Sequence, residues 1–375
     1  MRLDQFDYDL PAAAIAQQPA EPRDAARLLV DRGAGGVEHR RVADLPGLVR
    51  PGDVVVVNTT RVLPARLRLR KQTGGEVEVL LLERLPSGEW EALVRPGRRV
   101  RPGTVLRAGS DLAVHVGGAG PGDGTRMVRL ALAGGDAPEA TTGAAKGPDA
   151  EAARAAGAAG PAEAAELAAL ERHGTVPLPP YITAPLAEAG RYQTVFAEQP
   201  GSVAAPTAGL HLTPAVLDGC RAAGARVAPV ELVVGMGTFR PMSAPKVEDH
   251  HMHAERYRVP AATLDACRGA RASGGRVVAV GTTTVRALES AALSGQLAGR
   301  TELFIHRPWR WRVVDVLMTN FHLPRSSLLV LVDAFAGPRW RSLYATALAA
   351  GYRFLSFGDA MWLERGEAAT GDGAR

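Results

Sequence analysis

Residues that can bind an anion or transfer a proton stand where short apolar runs of the sequence end. The clearest example is VVAVGTTTVRALES, residues 277–290. An uninterrupted apolar run is typical of a strand buried on both faces, and Gly281 permits a tight turn after it. The three threonines can then cap a helix whose first N–H groups point beyond the strand, where an anion can bind. Arg286 in the first helical turn would pair with a carboxylate or phosphate, or else form an ordinary salt bridge.

The same arrangement recurs along the chain. Apolar runs at 54–57, 202–205, 230–234, 313–318 and 354–357 each lead into a polar or glycine-rich turn. In an open α/β sheet, ligands bind in the crevice outside the carboxyl ends of the strands. We therefore predict a functional site at that edge of a sheet.

Histidines supply the other candidate chemistry. His211 and His322 each follow a strand end and are candidates for acid and base, although an isolated histidine is more often a hydrogen-bonded core residue. The segment EDHHMHAE, residues 248–255, looks like a metal cluster, because a strand would place alternate side chains, His253 among them, on one face. One short element seldom completes a tetrahedral set. We therefore predict no metal site and assign the segment a hydrogen-bonding or proton-transfer role.

The elements that must position these residues follow two patterns. Short alternating strands separated by Gly and Pro at 64–133 predict a small antiparallel β-barrel domain. They interrupt a pattern of buried strands and helices, so the predicted fold is an α/β catalytic domain, built discontinuously from 1–63 and 170–375, with the barrel inserted. Residues 134–169 are almost all Ala, Gly, Glu, Asp and Pro. We predict a flexible linker there, with a weak alanine-rich helix as the alternative.

Composition narrows the class of protein. With 375 residues, 46% hydrophobic and 22% charged, the chain is an ordinary globular one. Its two cysteines, Cys220 and Cys267, are far apart, which favours a reducing compartment over a disulfide scaffold. The first residues lack the apolar stretch of a signal peptide and no run is long enough to span a membrane, so we expect a cytoplasmic protein. A net charge of +5 favours an anionic partner, nucleic acid above all.

Two arginine-rich segments are candidates for holding RNA. The densest basic part of the predicted barrel would contact the RNA backbone, or else form a solvated face. In HRPWRWR, residues 306–312, a tryptophan can stack on an unpaired base while arginines follow the phosphates. The alternative is that the tryptophans pack against the sheet. The candidates for tRNA binding are Arg95, Arg98, Arg99, Arg101, Trp309, Arg310 and Arg312.

Eight longer motifs span nearly the whole chain in order. They are NTTRVLPARL (58–67), RHGTVPLPPYI (172–182), RYQTVFAEQPGSVAAPTAGLHLT (191–213), GMGTFRPM (235–242), EDHHMH (248–253), AVGTTTVRALESAA (279–292), VVDVLMTNFHLP (313–324) and YRFLSFGDAM (352–361). Together they resemble the S-adenosylmethionine:tRNA ribosyltransferase-isomerases of queuosine synthesis.

The resemblance implies an α/β catalytic domain with an inserted β-barrel, and a transferase that uses S-adenosylmethionine as co-substrate. The enzyme would transfer and isomerise the ribosyl moiety of S-adenosylmethionine onto 7-aminomethyl-7-deazaguanine at the tRNA wobble position. The products would be epoxyqueuosine, adenine and methionine, formed without a metal or a permanently bound cofactor. We expect the protein to act as a monomer.

Such a reaction needs a base, because the sulfonium makes the adjacent 5′ carbon acidic, and an acid for the departing adenine. Residue types assign this work to His211, His253, His322 and Asp359. The residues assigned to S-adenosylmethionine binding are Asn58, Arg61, Thr207, Gly209, Gly237, Thr238, Thr282, Thr283, Thr284, Arg286 and Asn320.

Two other classes of function stay open on the sequence. A related enzyme could use S-adenosylmethionine on a small-molecule amine, because the chain departs from the family's pattern at Thr59, Leu212, Val233 and Trp309. A noncatalytic RNA-binding protein would explain the basic barrel, but it would leave the polar strand ends without a purpose.

Overall fold

The computed structural model describes residues 1–33, 36–122, 124–132, 160–235, 242 and 244–365. Its contacts divide the chain into two compact units. The first comprises Met1–Arg61, Leu178–Glu198 and Ala204–Arg375, and the second comprises Val62–Pro177 and Gln199–Val203.

The strands are short, as the runs of four to eight apolar or alternating residues predict. In chain order they are β1 (Arg27–Asp31), β2 (Val37–Arg41), β3 (Val54–Asn58), β4 (Thr60–Val62), β5 (Arg66–Lys71), β6 (Glu76–Arg84), β7 (Trp90–Arg95), β8 (Val105–Ala108), β9 (Leu112–Ala119), β10 (Arg126–Leu132), β11 (Gly174–Thr175), β12 (Gln199–Ser202), β13 (Arg226–Leu232), β14 (Glu255–Arg258), β15 (Val277–Val280), β16 (Ala298–Thr301), β17 (Val316–Asn320) and β18 (Ala360–Glu364).

Helices lie mainly in the C-terminal half. The α-helices are α1 (Pro161–His173), α2 (Pro214–Ala222), α3 (Ala261–Ala272), α4 (Thr282–Ser294), α5 (Ser327–Ala336) and α6 (Trp340–Ala349). Short 3₁₀ helices cover Leu3–Phe6, Ala12–Ala14, Arg23–Ala25, Val42–Gly47, Gly97–Arg99, Ala189–Tyr192, Thr207–His211, Val247–Asp249 and Gly337–Arg339.

The first unit is built on a mixed sheet. Its strand order over the described residues is β16-β14-β13-β3-β15-β17-β18-β1-β2. β13, β3, β15 and β17 are parallel, whereas β18 runs antiparallel to β17, so that Asn320 at the end of β17 lies opposite Ala360 at the start of β18. The carboxyl ends of the parallel strands and the amino end of β18 therefore meet at one edge of the sheet.

Both faces of this sheet are covered. In β3, Val54 and Val56 belong to one buried hydrophobic cluster, while Val55 and Val57 belong to the other. The first cluster also takes residues of α3, α4, α5 and α6, and the second takes residues of α2. This two-sided burial explains why the strands read as continuous apolar runs.

The second unit contains the predicted antiparallel barrel. Its strands pair in the order β11-β5-β6-β7-β10-β9-β8, and β5 also pairs with β8, which closes a ring of six strands. Inward residues such as Leu67, Leu69 and Val114 are buried, while alternate residues such as Arg68 are exposed. This is the period-two alternation that the sequence shows.

The linker predicted at 134–169 is wrong over its last nine residues. Helix α1 begins at Pro161 and lies on the barrel, where its Glu166 accepts hydrogen bonds from Arg84 Nε at 2.9 Å and Trp90 Nε1 at 3.1 Å. Ala169 and Leu170 of the helix are buried. These contacts come from strands about 80 residues away, so composition alone did not reveal them. Residues 134–159 of the predicted linker, and residue 133 of the predicted barrel, lie outside the described residues.

The end of α1 also moves a predicted domain boundary. The helix ends at His173, and a Cβ at the next residue, Gly174, would lie 1.8 Å from the carbonyl oxygen of Pro64, so only glycine fits there. Gly174 and Thr175 then pair with β5. The first unit resumes at Leu178 rather than at residue 170.

Within the described part of the chain, no helix is both long and apolar enough to cross a membrane.

Candidate active site

A cleft lies in the first unit at the edge where the parallel strands end. It has a volume of about 580 Å³, part of which is open to solvent. Among the described residues that line it, none is Asp, Glu, Lys or Arg, so its polar groups are hydroxyls, an amide and an imidazole. The lining residues with polar side chains are Tyr181, Thr207, Thr282, Thr283, Thr319, Asn320, His322, Ser326 and Ser356.

The start of α4 forms one wall of the cleft. Gly281 has a φ of +89°, a backbone conformation that glycine adopts without strain, and it turns the chain from β15 directly into the helix. Asn58 at the end of β3 fixes this turn, because its Nδ2 donates to Thr283 Oγ1 at 3.3 Å and to the Leu232 carbonyl at 3.0 Å. Gly281, Thr282 and Thr283 line the cleft, so the positive end of the helix dipole, where the first N–H groups have no partner within the helix, lies at its wall.

Thr282 adds a hydroxyl to this wall. Thr282 is 6% exposed and lines the cleft, and no hydrogen bond joins its hydroxyl to another described residue. Thr282 is therefore available to a bound ligand, in contrast to Thr284, whose hydroxyl donates to the Val280 carbonyl at 2.7 Å.

Asn320 is the centre of a second polar group in the cleft. Its Oδ1 accepts a hydrogen bond from Thr207 Oγ1 at 3.0 Å, and its Nδ2 lies 3.0 Å from His211 Nε2. Because the amide nitrogen can only donate, His211 Nε2 accepts, and the ring proton lies on Nδ1. The sequence predicted Asn320, Thr207 and His211 as site residues, and the structure brings them together.

His211 does not itself line this cleft. It is buried behind Asn320 and faces a smaller cavity of about 230 Å³ beside Arg23 and Arg191. Burial, together with the positive charges of Arg353 and Arg23, lowers the pKa of His211 to about 4. A neutral imidazole that reaches the cleft only through an amide is suited to positioning Asn320 rather than to transferring a proton.

His322 lines the cleft directly. Its Nε2 lies 3.0 Å from Thr319 Oγ1. Its backbone N–H donates to Tyr344 Oη, and its carbonyl accepts from Tyr8 Oη. Burial lowers the pKa of His322 to about 3, so the imidazole is neutral at physiological pH. It is the predicted acid–base residue that the structure places at the cleft.

Arg286 forms an ion pair within the protein instead of the predicted site for a ligand carboxylate. Its guanidinium forms a buried ion pair with Glu255 of β14 and donates to the Leu303 carbonyl at 3.1 Å and the Thr301 carbonyl at 3.3 Å. Arg286 lies behind the cleft wall rather than in it. The ordinary salt bridge is therefore the correct interpretation, because β14 supplies an acidic partner that the 277–290 window does not contain.

Asp359 and His253 are also not at the cleft. The Asp359 carboxylate accepts hydrogen bonds from the backbone N–H groups of Arg27 at 2.9 Å and Arg353 at 2.8 Å, so it fastens the start of β18 to its neighbours. His253 is exposed in an irregular segment between Asp249 and β14. Among the described residues, no group of three or more His, Cys, Asp or Glu is arranged to hold a metal ion.

The remaining predicted ligand residues have mixed outcomes. Gly209 is buried against Phe196 and Thr194 and does not line the cleft, and Arg61 is only half-buried and also lies outside it. Asn58 does not line the cleft, but its side chain donates a hydrogen bond to Thr283, which does. Gly237 and Thr238 lie outside the described residues.

Some of the residues predicted to bind RNA are exposed, and others pack against the protein. The barrel arginines, Arg95, Arg98, Arg99 and Arg101, are all exposed. In the first unit Trp311 is buried against Phe335, with ring centroids 4.8 Å apart, and Trp309 is half-buried with its Nε1 3.4 Å from Glu289. The tryptophans therefore pack against the core, while Arg310 and Arg312 stay exposed.

Reasoning from the sequence missed four polar cleft residues, Thr319, Ser326, Tyr181 and Ser356, and the last two form a pair. Tyr181 follows the extended segment PLPP, and Ser356 lies between Leu355 and Phe357 just before β18. Both stand in motifs that were recognised, but neither residue type suggests acid–base chemistry at first reading. Only the folded chain shows that their hydroxyls lie 2.8 Å apart.

Comparison with known proteins agrees along the whole length of the chain. The family described as "Queuosine biosynthesis protein" matches residues 3–363. S-adenosylmethionine:tRNA ribosyltransferase-isomerases from Moorella thermoacetica and Rubrobacter xylanophilus are 48% and 49% identical, over 96% and 97% of this chain and 99% and 98% of theirs. The crystal structure of an S-adenosylmethionine tRNA ribosyltransferase from Thermotoga maritima matches with a TM-score of 0.51 and 36% identity, covering 96% of this chain and 99% of that one. The chain belongs to the queuosine biosynthesis family of S-adenosylmethionine:tRNA ribosyltransferase-isomerases.

Proposed function

We propose that the protein transfers and isomerises the ribosyl moiety of S-adenosylmethionine onto 7-aminomethyl-7-deazaguanine at the tRNA wobble position. The products are epoxyqueuosine in tRNA, adenine and methionine. The observation that carries the proposal is the 48% identity to a ribosyltransferase-isomerase over 96% of the chain. The family match over residues 3–363 includes every strand and helix that forms the cleft.

The cleft fits the donor's charges. Its uncharged polar lining suits a sulfonium, which an arginine or lysine would repel. The donor's carboxylate is then held at the start of α4, by backbone N–H groups and the Thr282 hydroxyl. This replaces Arg286 in the role that the sequence assigned to it.

His322 is the base in this proposal. The sulfonium acidifies the 5′ C–H of the donor, and a neutral imidazole has a free lone pair to accept that proton. The low pKa of His322 keeps the imidazole unprotonated at physiological pH but also makes it a weak base, so the acidity of the 5′ C–H has to come from the sulfonium. Asn320, held by Thr207 and His211, binds the ribose beside it.

The setting follows from the same proposal. The substrate is a tRNA, so the enzyme acts in the cytoplasm, where we propose that it works as a monomer with S-adenosylmethionine as co-substrate and no permanently bound cofactor. The exposed barrel arginines supply positive charge for the tRNA backbone. Light scattering during size-exclusion chromatography measures the oligomeric state directly.

Incubation of the purified protein with S-adenosylmethionine, with and without tRNA that carries the aminomethyl-deazaguanine, tests the function. We expect adenine and methionine in equal amounts only when that tRNA is present, and a matching gain in mass of the wobble nucleoside. The same tRNA with an ordinary guanine is the matched control. Adenine release on a small amine but not on tRNA would point to a different acceptor, and no release with any acceptor would overturn the proposal.

A further inference from the structure

Tyr181 and Ser356 form a hydroxyl pair on the wall of the cleft. The oxygen atoms Tyr181 Oη and Ser356 Oγ are 2.8 Å apart, and both residues line the cleft. Ser356 is 2% exposed, so its hydroxyl is held in one place rather than solvated. Apart from His322, Tyr181 is the only titratable side chain among the described residues that line this cleft.

Both residues are held from behind. The side-chain amide of Gln17 binds the backbone of the Tyr181 segment through two hydrogen bonds. Its Nε2 donates to the Tyr181 carbonyl at 2.9 Å, and its Oε1 accepts from the Thr183 N–H at 2.9 Å. Ser356 follows Leu355, which has a φ of +68°, a left-handed conformation that costs a leucine energy. Strain of this kind persists where surrounding structure enforces it, and it is concentrated at functional sites.

The pair occupies a defined place relative to the other parts of the cleft. Thr282 follows β15, Asn320 ends β17, and Ser356 precedes β18, so the three positions succeed one another across the sheet. Adjacent strands are about 4.8 Å apart, so β18 lies two strand spacings, roughly 10 Å, from β15, which leads into α4. The donor has the same order of groups: carboxylate, then sulfonium and ribose, then base. Leu355 and Phe321 line the cleft beside Ser356 and offer an apolar surface to a planar ring.

We infer that the Tyr181 hydroxyl, oriented by Ser356, donates a hydrogen bond to the adenine as it leaves the ribose. This inference rests on the proposed function. Tyr181 is then a catalytic residue and Ser356 a positioning residue. The bond between C1′ and the adenine nitrogen breaks with both of its electrons going to the base, and the ribose ring oxygen supplies a lone pair to C1′ in their place.

The Tyr181 hydroxyl can assist the adenine in two ways, by donating a hydrogen bond or by transferring its proton. Burial raises the pKa of Tyr181 above its usual range, so the phenol keeps its proton. The proton that adenine finally carries comes through solvent, balanced by the proton that the acceptor amine loses when its nitrogen bonds to the ribosyl carbon. A positioned donor that meets developing negative charge acts in this way in other enzymes, and its removal costs roughly 100-fold or more in kcat.

The test measures adenine release at saturating S-adenosylmethionine and modified tRNA. We expect Tyr181→Phe to lower kcat roughly 100-fold, with the KM for S-adenosylmethionine changed less than about threefold. Ser356→Ala should lower kcat roughly tenfold, and the double variant should be no slower than Tyr181→Phe alone, because Ser356 acts through the tyrosine. Tyr192→Phe is the matched control, since Tyr192 is buried beside Phe357 and does not line the cleft, and it should retain full activity.

Donor analogues separate this role from a structural one. An analogue whose base leaves more readily needs less help, so Tyr181→Phe should slow it less than it slows S-adenosylmethionine. An equal loss for both donors, or wild-type kcat in folded Tyr181→Phe, would overturn the inference. The wild-type assay is run first: if wild type releases adenine with the modified tRNA and only the variants behave otherwise, the proposed function stands and the inference alone fails.

Discussion

Two histidines near the cleft are buried without a carboxylate partner, and this governs how they can act. His211 and His322 have pKa values lowered to about 4 and about 3, and burial is the main cause for each. Both are therefore neutral above pH 5, with a fixed tautomer at His211 and a hydroxyl partner at His322. Neither can serve as a cationic acid near neutral pH, which leaves His322 as a base and His211 as a support for Asn320.

The same shifts predict how stability depends on pH. In the unfolded chain a histidine binds a proton below about pH 6.5, but these two resist protonation in the folded state until about pH 4 and 3. Their contribution is therefore fully present above pH 6.5 and is lost as the pH falls toward 4. As the pH falls through that window, the protonation of each histidine lowers the free energy of unfolding by up to about 1.4 kcal/mol per pH unit.

Urea denaturation between pH 4.5 and 6 measures this slope. His322→Gln should reduce the slope by about 1.4 kcal/mol per pH unit, because one titrating group is removed. His251→Gln, at an exposed position, should leave the slope as in wild type. An unchanged slope in His322→Gln would mean that His322 titrates alike in the folded and unfolded states.

At the scale of single residues, the sequence predicted His322, Asn320, Thr207 and Thr282 at a strand-end site, because each directly follows an apolar run that became a buried strand or its turn. It failed for Arg286 and Asp359. Their partners, Glu255 and the backbone of Arg27, come from distant segments of the chain. Residue type indicates that a group can ionise, but not whether the fold already satisfies it.

Among the elements, helix α4 is the one whose start shapes the cleft. If its N–H groups and Thr282 bind the donor's carboxylate, Thr282→Val should raise the KM for S-adenosylmethionine roughly tenfold, the value of about 1.4 kcal/mol for one charge-assisted hydrogen bond, with little change in kcat. Steady-state kinetics with the donor varied provides the measurement.

Thr284→Val is the matched control on the same helical turn. Its hydroxyl bonds the Val280 carbonyl and the side chain is fully buried, so this change should lower stability by about 1 kcal/mol and leave the KM unaltered. Equal KM increases in the two variants would show that the helix start is merely disturbed, without a specific carboxylate contact at Thr282.

An ion pair joins α4 to β14 behind the cleft wall. Arg286 and Glu255 are 4% and 6% exposed, so removing one partner leaves a buried charge unpaired. Arg286→Met should lower the free energy of unfolding by about 3–5 kcal/mol, and adding Glu255→Gln should restore part of the loss. Denaturant titration measures both. A variant that folds with wild-type stability but shows a raised donor KM would return Arg286 to a binding role.

Elements were predicted best where they bury apolar residues with a clear period. The barrel strands alternate and the central strands are continuous, and both patterns correspond to strands in the structure. Helix α1 was predicted only as the alternative to a flexible linker, because alanine and glutamate carry no amphipathic stripe to mark it. Its position depends on Glu166 bonding Arg84 and Trp90, contacts that exist only once the barrel has formed.

For the whole molecule, the net charge of +5 bears on tRNA binding only through the positive side chains that are exposed and not neutralised by a carboxylate. Many arginines of the first unit are neutralised by buried carboxylates, such as Arg276 by Asp53 and Arg339 by Asp31. On the barrel, Arg98 and Arg99 are exposed on one short helical turn. Unpaired exposed arginines are the ones that release counterions when they meet phosphates.

The barrel arginines should therefore set the salt dependence of tRNA binding. Replacing Arg98 and Arg99 by Ala should weaken tRNA binding at low salt and reduce the slope of log K against log salt by about 1.4–1.8, with the KM for S-adenosylmethionine unchanged. Arg70→Ala is the control on the same barrel, because Arg70 already pairs with Glu76 at 3.2 Å and should contribute little to the slope. Arg310→Ala with Arg312→Ala tests the other exposed basic segment. If only that second pair changes the slope, tRNA phosphates are held by the first unit, and the barrel arginines form a solvated face; if neither pair does, binding depends on contacts other than these phosphate pairs.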